Sequence, residues 1–571
     1  MAEEALPVNR VPQIVAALCL VGVIGGVAYW FFLRDTTVPS RVMIVARGCG
    51  SDCEAVLRTR MAFHLDKALG FELRPNLDDG PVVVDTQDAA LATAKDLDVG
   101  YLVEVTATVV EERPGLTPDT VFVVAEAELE LISTVEETLD LPDPLPPIRF
   151  GSEGVDRADA MGKMARAWAN VFYAQIAGDL LRQPRLAEYI EKGGEASSAG
   201  YVERLEDAFN QLAGRDRTSQ RLREVCEEAD EALASDAGPH EVRCGPVEGC
   251  GQHYLFGASA DGSRYLRHVE SPTWFIPFEA SPTPAIAQTV ERIDLVEVSG
   301  ATRTIAYANN FVGWGDLSAD GTRAVFVEQG SRRQGLVVVN VETGERQVLY
   351  VAEGRRYLDS PKISPDGAFI GVMERVGRRG ARQLYTLRVA DGLVAGPFPA
   401  LAFDWLQPDE GLRLAYIQAD PAVGRRLVLH DPTNAAPAQE VAGELSVRDI
   451  VGLGPTGILV TTGNAADGCG VARVVTHPEP GLVDPVDSPC LGHPVVFGEA
   501  IVGAARESSA GDPLAGDPEM VRVDASGNSE VLTANRLLER YPQGGARLFF
   551  ERVFEKSPFT RTIAVSTVCS L

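Results

Sequence analysis

Lysine is scarce in this chain: six residues among 52 cations, set against 81 acids, for a formal net charge of −29. Nucleic-acid binding needs a basic face that displaces phosphate counterions, so a surface this acidic excludes it. The skew from lysine to arginine reflects a GC-rich coding sequence and carries no functional weight. Catalytic signatures are missing as well. The chain contains no G-x-S-x-G elbow, no H-E-x-x-H and no G-x-x-x-x-G-K-[ST], so hydrolase, zinc-protease and P-loop readings have no motif to stand on. Long hydrophobic runs are absent with one exception, which rules out a polytopic membrane protein. Collagen and coiled-coil classes fail on composition. What remains is 45% hydrophobic and 23% charged, enough for globular cores. A length of 571 residues suggests roughly three to five compact units.

The exception is Val11 to Leu33, 23 residues without a charge between Arg10 and Arg34. About 20 apolar residues cross a bilayer, and Tyr29, Trp30, Phe31 and Phe32 crowd one end where rings favour the headgroup layer. The reading is a retained transmembrane helix behind a short tail at 1–10, exporting the remainder of the chain. A signal peptide cleaved near Gly26-Val27-Ala28 is the alternative. Beyond Cys19 stand eight cysteines, an even number that permits disulfides in an exported domain without fixing their connectivity.

Residues 41–185 read as a compact α/β domain. Arg41 to Ala46 is a buried strand, and Val56, Leu57, Met61, Leu65 and Leu69 recur at helical spacing. Further strands are expected at 71–74, Val99–Val110 and Val121–Ile132. In the last, Glu126, Glu128 and Glu130 alternate with Ala127, Leu129 and Leu131, giving one wet and one buried face. Helices are expected at Ala89–Leu97 and Asp156–Leu181, the latter with Met161, Met164, Trp168 and Phe172 as core. A polar, helix-prone connector occupies 186–239.

From 240 to 571 the sequence turns to short apolar strands and glycine turns. Ser259-Ala-Asp-Gly262, Ser318-Ala-Asp-Gly321 and Ser364-Pro-Asp-Gly367 each precede an apolar strand. Eroded copies stand at Gly411, Gly457, Gly498 and Gly545, so the seven glycines are spaced 59, 46, 44, 46, 41 and 47 residues apart. Asp-Gly makes a tight turn because glycine accepts positive φ and the aspartate caps the turn backbone. A repeat of about 45 residues carrying four short strands is one blade of a propeller. The last unit lacks an outer strand, and His240 to Cys244 is placed to supply it and close the ring, since an open ring exposes strand edges.

These phrases resemble the repeat of TolB-type β-propellers, called the WD40-like or PD40 repeat. An export segment, a small α/β domain and such a propeller match that family's layout. The resemblance covers about 250–571 by motif and 41–185 by layout only. It implies a partner surface on one propeller face, an envelope protein or lipoprotein as ligand, and a Gram-negative envelope as setting. The departures are a retained anchor and seven units where the family has six blades. The expectation is seven blades, six being the alternative.

The strands leading into the turns are expected to line the channel. They carry Trp314, Asp316, Asp359, Asp404, Trp405 and Asp449, a candidate ring of carboxylates at the channel mouth. Such a ring suits a calcium ion or the basic residues of a partner. The plainer alternative has these aspartates capping turns and the tryptophans filling blade interfaces. Cys226, His240, Cys244, Cys250 and His253 cluster, but their order matches no zinc finger; disulfides are expected among Cys49, Cys53, Cys226, Cys244, Cys250, Cys469 and Cys490. The repeats continue to the final residues, and no hydrolase domain is expected after them. No catalytic, cofactor-binding or metal-ligating residue is assigned. The overall expectation is an inner-membrane, single-pass protein whose bulk lies in the periplasm as a non-catalytic protein-binding scaffold. The alternatives are an accessory or gating propeller of an envelope hydrolase and a metal-binding sensor.

Overall fold

The computed structural model describes residues 41–69, 72–73, 86–97, 99–134, 148–182, 243–246, 253–269 and 288–308, and beyond these the strands named below with many of their turns. The span Val11–Leu33 and the connector 186–239 lie outside the described residues. Among the described residues no helix is long and apolar enough to cross a membrane.

The α/β domain is built on β1 (Arg41–Arg47), β2 (Glu72–Leu73), β3 (Tyr101–Pro114), β4 (Val121–Ser133) and β5 (Ile148–Gly154). β1 runs parallel to β2 and β3, and β3, β4 and β5 are antiparallel. Helices α1 (Ser51–Leu69) and α3 (Arg157–Arg182) bury Leu57, Met61, Met164, Trp168 and Phe172 against one face of the sheet. Helix α2 (Gln87–Asp96) covers part of the other face with Ala90 and Ala94 against Met43, Val45 and Leu102. Thr86 starts α2, its hydroxyl accepting the Ala89 amide at 3.2 Å. On β4, Glu128 and Glu130 are exposed and Ala127, Leu129 and Leu131 buried, as the alternation requires. The sequence reading had no strand at 148–154. Gly151 and Ser152 blur the apolar pattern there, yet both are buried in β5.

Seven antiparallel sheets occupy 253–308, 311–352, 356–399, 403–441, 447–487, 491–533 and 543–570. Six have four strands and the fifth has five. Their first strands are His253–Ala258, Phe311–Leu317, Arg356–Ile363, Phe403–Leu406, Val447–Gly452, Leu491–Phe497 and Gln543–Gly544. Each touches the next, and the seventh touches the first. The chain is therefore a β-propeller. Its last sheet is completed by β6 (Arg243–Pro246), which pairs antiparallel with Ile563–Ser570. Of the segment His240–Cys244 expected to close the ring, Arg243 and Cys244 lie in this strand, and 240–242 lie outside the described residues.

The Ser-x-Asp-Gly turns show why those residue types recur. The Ser318 hydroxyl donates to Asp320 Oδ1 (2.6 Å) and accepts the Arg323 amide (2.9 Å), while Asp320 Oδ1 accepts the Thr322 amide (3.0 Å). Ser259 with Asp261 and Ser364 with Asp366 repeat this arrangement. The three serines are buried, and Gly262, Gly321 and Gly367 have φ of +65°, +69° and +69°. The Ser259 hydroxyl, then the Ser263 amide, hold the Asp261 carboxyl down at about 2. Neighbouring sheets are stitched beside the turns: Ala260 N–H donates to Ala319 O, and Arg323 Nη1 donates to Gly367 O, both at 2.8 Å. At the opposite strand ends, Glu291 accepts the Phe311 amide (3.1 Å) and Gln334 accepts the Leu358 amide (2.7 Å).

The α/β domain is fastened to the first and second sheets. Gln288–Thr289 extends its sheet by pairing with β5. Arg113, at the end of β3, donates to buried Glu328 (2.9 Å) and to Tyr307 O (2.9 Å), and its guanidinium lies 4.2 Å from the centroid of the Phe122 ring. Glu328 takes a second arginine, Arg346, at 2.8 Å. In the β3–β4 turn, Leu116 lies over Gly335, where an added Cβ would stand 2.5 Å from Leu116 Cδ2.

Ser318→Ala removes the acceptor for the Arg323 amide and is expected to lower the unfolding free energy by about 1–2 kcal/mol, read from urea midpoints. Gly367→Ala should cost about 1–2 kcal/mol in the same assay, because its backbone is left-handed. Glu328→Ala leaves two arginines facing an emptied site and should cost about 3 kcal/mol, splitting the calorimetric melt into separate domain and propeller transitions.

Candidate functional site

Strand register shows which residues share the axial position. Asp316 pairs with Val325, Lys362 with Gly371, Asp404 with Ala415 and Asp449 with Thr461. These four partners each stand four residues after the turn glycine of their own repeat. Four successive first strands therefore present aspartate, lysine, aspartate and aspartate at one level. The sequence reading put Asp359 in this ring. The structure places Lys362 there instead, because the strand bulges between Asp359 and Lys362 and Ser360 takes φ +50°.

Lys362 changes what the ring can do. Its ammonium is 3.2 Å from Asp404 Oδ1 and 5.8 Å from the Phe403 ring centroid. Asp404 Oδ1 also accepts the Trp405 amide at 2.9 Å, and Trp405 Nε1 donates back to Lys362 O at 3.0 Å. Asp316 spans two sheets, its Oδ2 accepting the Ile363 amide (3.0 Å) and its Oδ1 accepting the Leu317 amide (2.9 Å). Desolvation pushes the Asp316 carboxyl up to about 7, opposed by the two amides and by Lys362. The ring is thus a chain of links between sheets, with a lysine where a bound cation would otherwise balance the acids. Among the described residues no group of three or more His, Cys, Asp or Glu could hold a metal ion. Trp405 is buried beside Phe369 of the preceding sheet, with centroids 6.3 Å apart, which makes it interface filling.

Asp359 faces a different surface, at the strand ends away from the Asp-Gly turns. It lines a hollow with Tyr357, Leu358, Met373, Glu374, Arg375 and Arg382. Its Oδ2 is 4.0 Å from Arg382 Nη2, and its Oδ1 accepts the Ser360 hydroxyl at 3.1 Å. Beneath, Glu374 is buried and accepts from Tyr350 Oη (2.8 Å) and Arg356 Nη1 (3.1 Å). Burial, then the bond to Glu374, pushes the Tyr350 phenol up to about 12, so it remains a donor across the neutral range. The hollow offers two acids, of which Glu374 is buried and already bonded, two arginines, and the apolar Leu358 and Met373.

Cys49 and Cys53 are joined by a disulfide at the entry to α1. Cys244 lies in β6. Trp314 lies in Phe311–Leu317, with its side chain outside the described residues, as is that of Asp449. Cys226, Cys250, Cys469 and Cys490 also lie outside the described residues.

The class the fold defines is a β-propeller preceded by an α/β domain. No protein-family model and no curated protein matches the chain. Among solved structures it is similar to TolB from Acinetobacter baumannii, at 11% identity over 86% of this chain and 92% of that one, with a TM-score of 0.29. It is also similar to oligogalacturonate lyase from Vibrio parahaemolyticus (13%, 59% and 94%, 0.40). A third neighbour is the acylaminoacyl peptidase of Pyrococcus horikoshii (9%, 55% and 51%, 0.38). These neighbours are TolB and other propeller-fold proteins, and they include enzymes as well as TolB.

The raised Asp316 carboxyl gives a signed expectation. The folded state holds a proton there that the unfolded chain releases near pH 4, so this group's contribution to stability falls as pH rises from about 4 through about 7. Asp316→Asn should remove that slope, and its stability deficit relative to the wild type should shrink between pH 4.5 and 8 in urea titrations.

Proposed function

We propose that the chain is a non-catalytic, seven-bladed β-propeller that binds a protein partner on the face opposite its Asp-Gly turns. The observation that carries the reading is the division of labour among its polar side chains. The ring strands use Asp316, Lys362 and Asp404 to fasten sheets together, and the motif serines and aspartates close the turns. Asp359, Arg375 and Arg382 stand at an open hollow instead. A rigid platform with an amphipathic rim suits recognition of a loop or extended segment carrying both charges and one apolar side chain. Seven sheets in cyclic contact and a closing strand from residues 243–246 support the blade count.

The setting we propose is the periplasm, with the bulk of the chain held at the inner membrane by a single span, Val11–Leu33, and an envelope protein or lipoprotein as partner. The disulfide between Cys49 and Cys53 is in keeping with an oxidising compartment.

The test is a photo-crosslinking residue in place of Tyr357 in the full chain, irradiated in cells and resolved by mass spectrometry. A discrete protein adduct that disappears with Arg382→Glu is expected. An adduct indifferent to that reversal, or labelling of the purified chain by a serine-reactive probe, would overturn the reading.

A further inference from the structure

The ring is closed by four paired residues. β6 and the strand Ile563–Ser570 are aligned Pro246 with Thr567, Gly245 with Val568, Cys244 with Cys569 and Arg243 with Ser570. We propose that Cys244 and Cys569 form a disulfide that locks the propeller shut. Directly opposed residues of an antiparallel pair have Cα atoms about 4.5 or about 5.5 Å apart. Both spacings fall within the roughly 4.4–6.8 Å that a disulfide spans. Among the described strands this is the one place where two cysteines stand opposite each other.

The two cysteines are 325 residues apart. A cross-link closing so long a loop restricts the unfolded chain strongly. It also stands at the closing joint, where β6 is held to Ile563–Ser570 by four paired residues. The bond forms by two exchange steps with an external disulfide, such as an oxidised dithiol protein or oxidised glutathione. One cysteine thiolate attacks it and expels a thiol, giving a mixed disulfide. The second thiolate then attacks the first cysteine's sulfur, forms the intramolecular bond and expels the other thiol. Two electrons and two protons pass to the external disulfide, which ends as two thiols. Such a donor is the only co-reactant required, and the lock is independent of partner binding.

The experiment uses the full chain, folded and treated with oxidised glutathione, then alkylated, digested and mapped without reduction. A linked pair of peptides bearing Cys244 and Cys569 is expected, lost in Cys569→Ser and Cys244→Ser and kept in Cys250→Ser. Unfolding in urea should be about tenfold slower for the oxidised than for the reduced wild type, a difference absent from Cys569→Ser. Cys569 recovered as an alkylated thiol, or joined to any cysteine other than Cys244, overturns the proposal, and this readout on the wild type needs no variant to fold. A bridge that forms in the tube while both thiols stay reduced in cells supports the proposal and overturns the periplasmic reading.

Discussion

Each propeller sheet has two apolar faces, and only its neighbours can cover them. That constraint organises the seven sheets between residues 253 and 570. Val325, Val327, Leu336 and Val338 of the second sheet are buried against Leu358, Ile370 and Val372 of the third. The other face of the second sheet, with Ala324, Phe326 and Val337, covers Phe256, Leu266 and Ile293 of the first. A sheet lacking a neighbour on either side would leave such a face wet, so the ring must close, and closure falls to β6. The polar stitches are secondary in energy but decisive in register. Asp316 to the Ile363 amide, Gln334 to the Leu358 amide and Arg323 to Gly367 O each tie a side chain of one sheet to the backbone of the next. Side chains set against backbone fix angle and height where apolar contact alone would let sheets slide.

The propeller was legible because its turn chemistry is local. Ser, Asp and Gly at fixed offsets make a closed set of hydrogen bonds, all of them between Ser318 and Arg323 in the second repeat, so sequence alone marks the first three repeats. The later repeats are fainter because the turn lengthens. The axial residue stands five positions before the glycine in Asp316 and Lys362, but seven before in Asp404 and eight before in Asp449. That drift hid the equivalence of Lys362 with the aspartates, and led to Asp359 being grouped with them on composition. A bulge is a matter of backbone pairing, and no residue type at 359–362 announces it.

The fastening of the two bodies was not legible at all. Arg113, Leu116, Glu328 and Gly335 lie in four separate segments, each with an ordinary local reading: a strand end, a turn, a strand glutamate, a strand glycine. Their meaning arises only when the β3–β4 turn is laid against the second sheet, where Leu116 requires a residue without a side chain at 335 and Glu328 collects Arg113 and Arg346. Long-range electrostatic pairs of this kind carry no periodicity for a sequence to display.

That fastening also breaks a near-symmetry. A toroid of similar sheets has no preferred azimuth, and a ligand reading the rim alone would meet several approximately equal orientations. With the α/β domain clasped to two neighbouring sheets, the circle acquires an origin. A partner touching both bodies can seat itself at one angle only, as a key with an offset tooth enters a round lock one way.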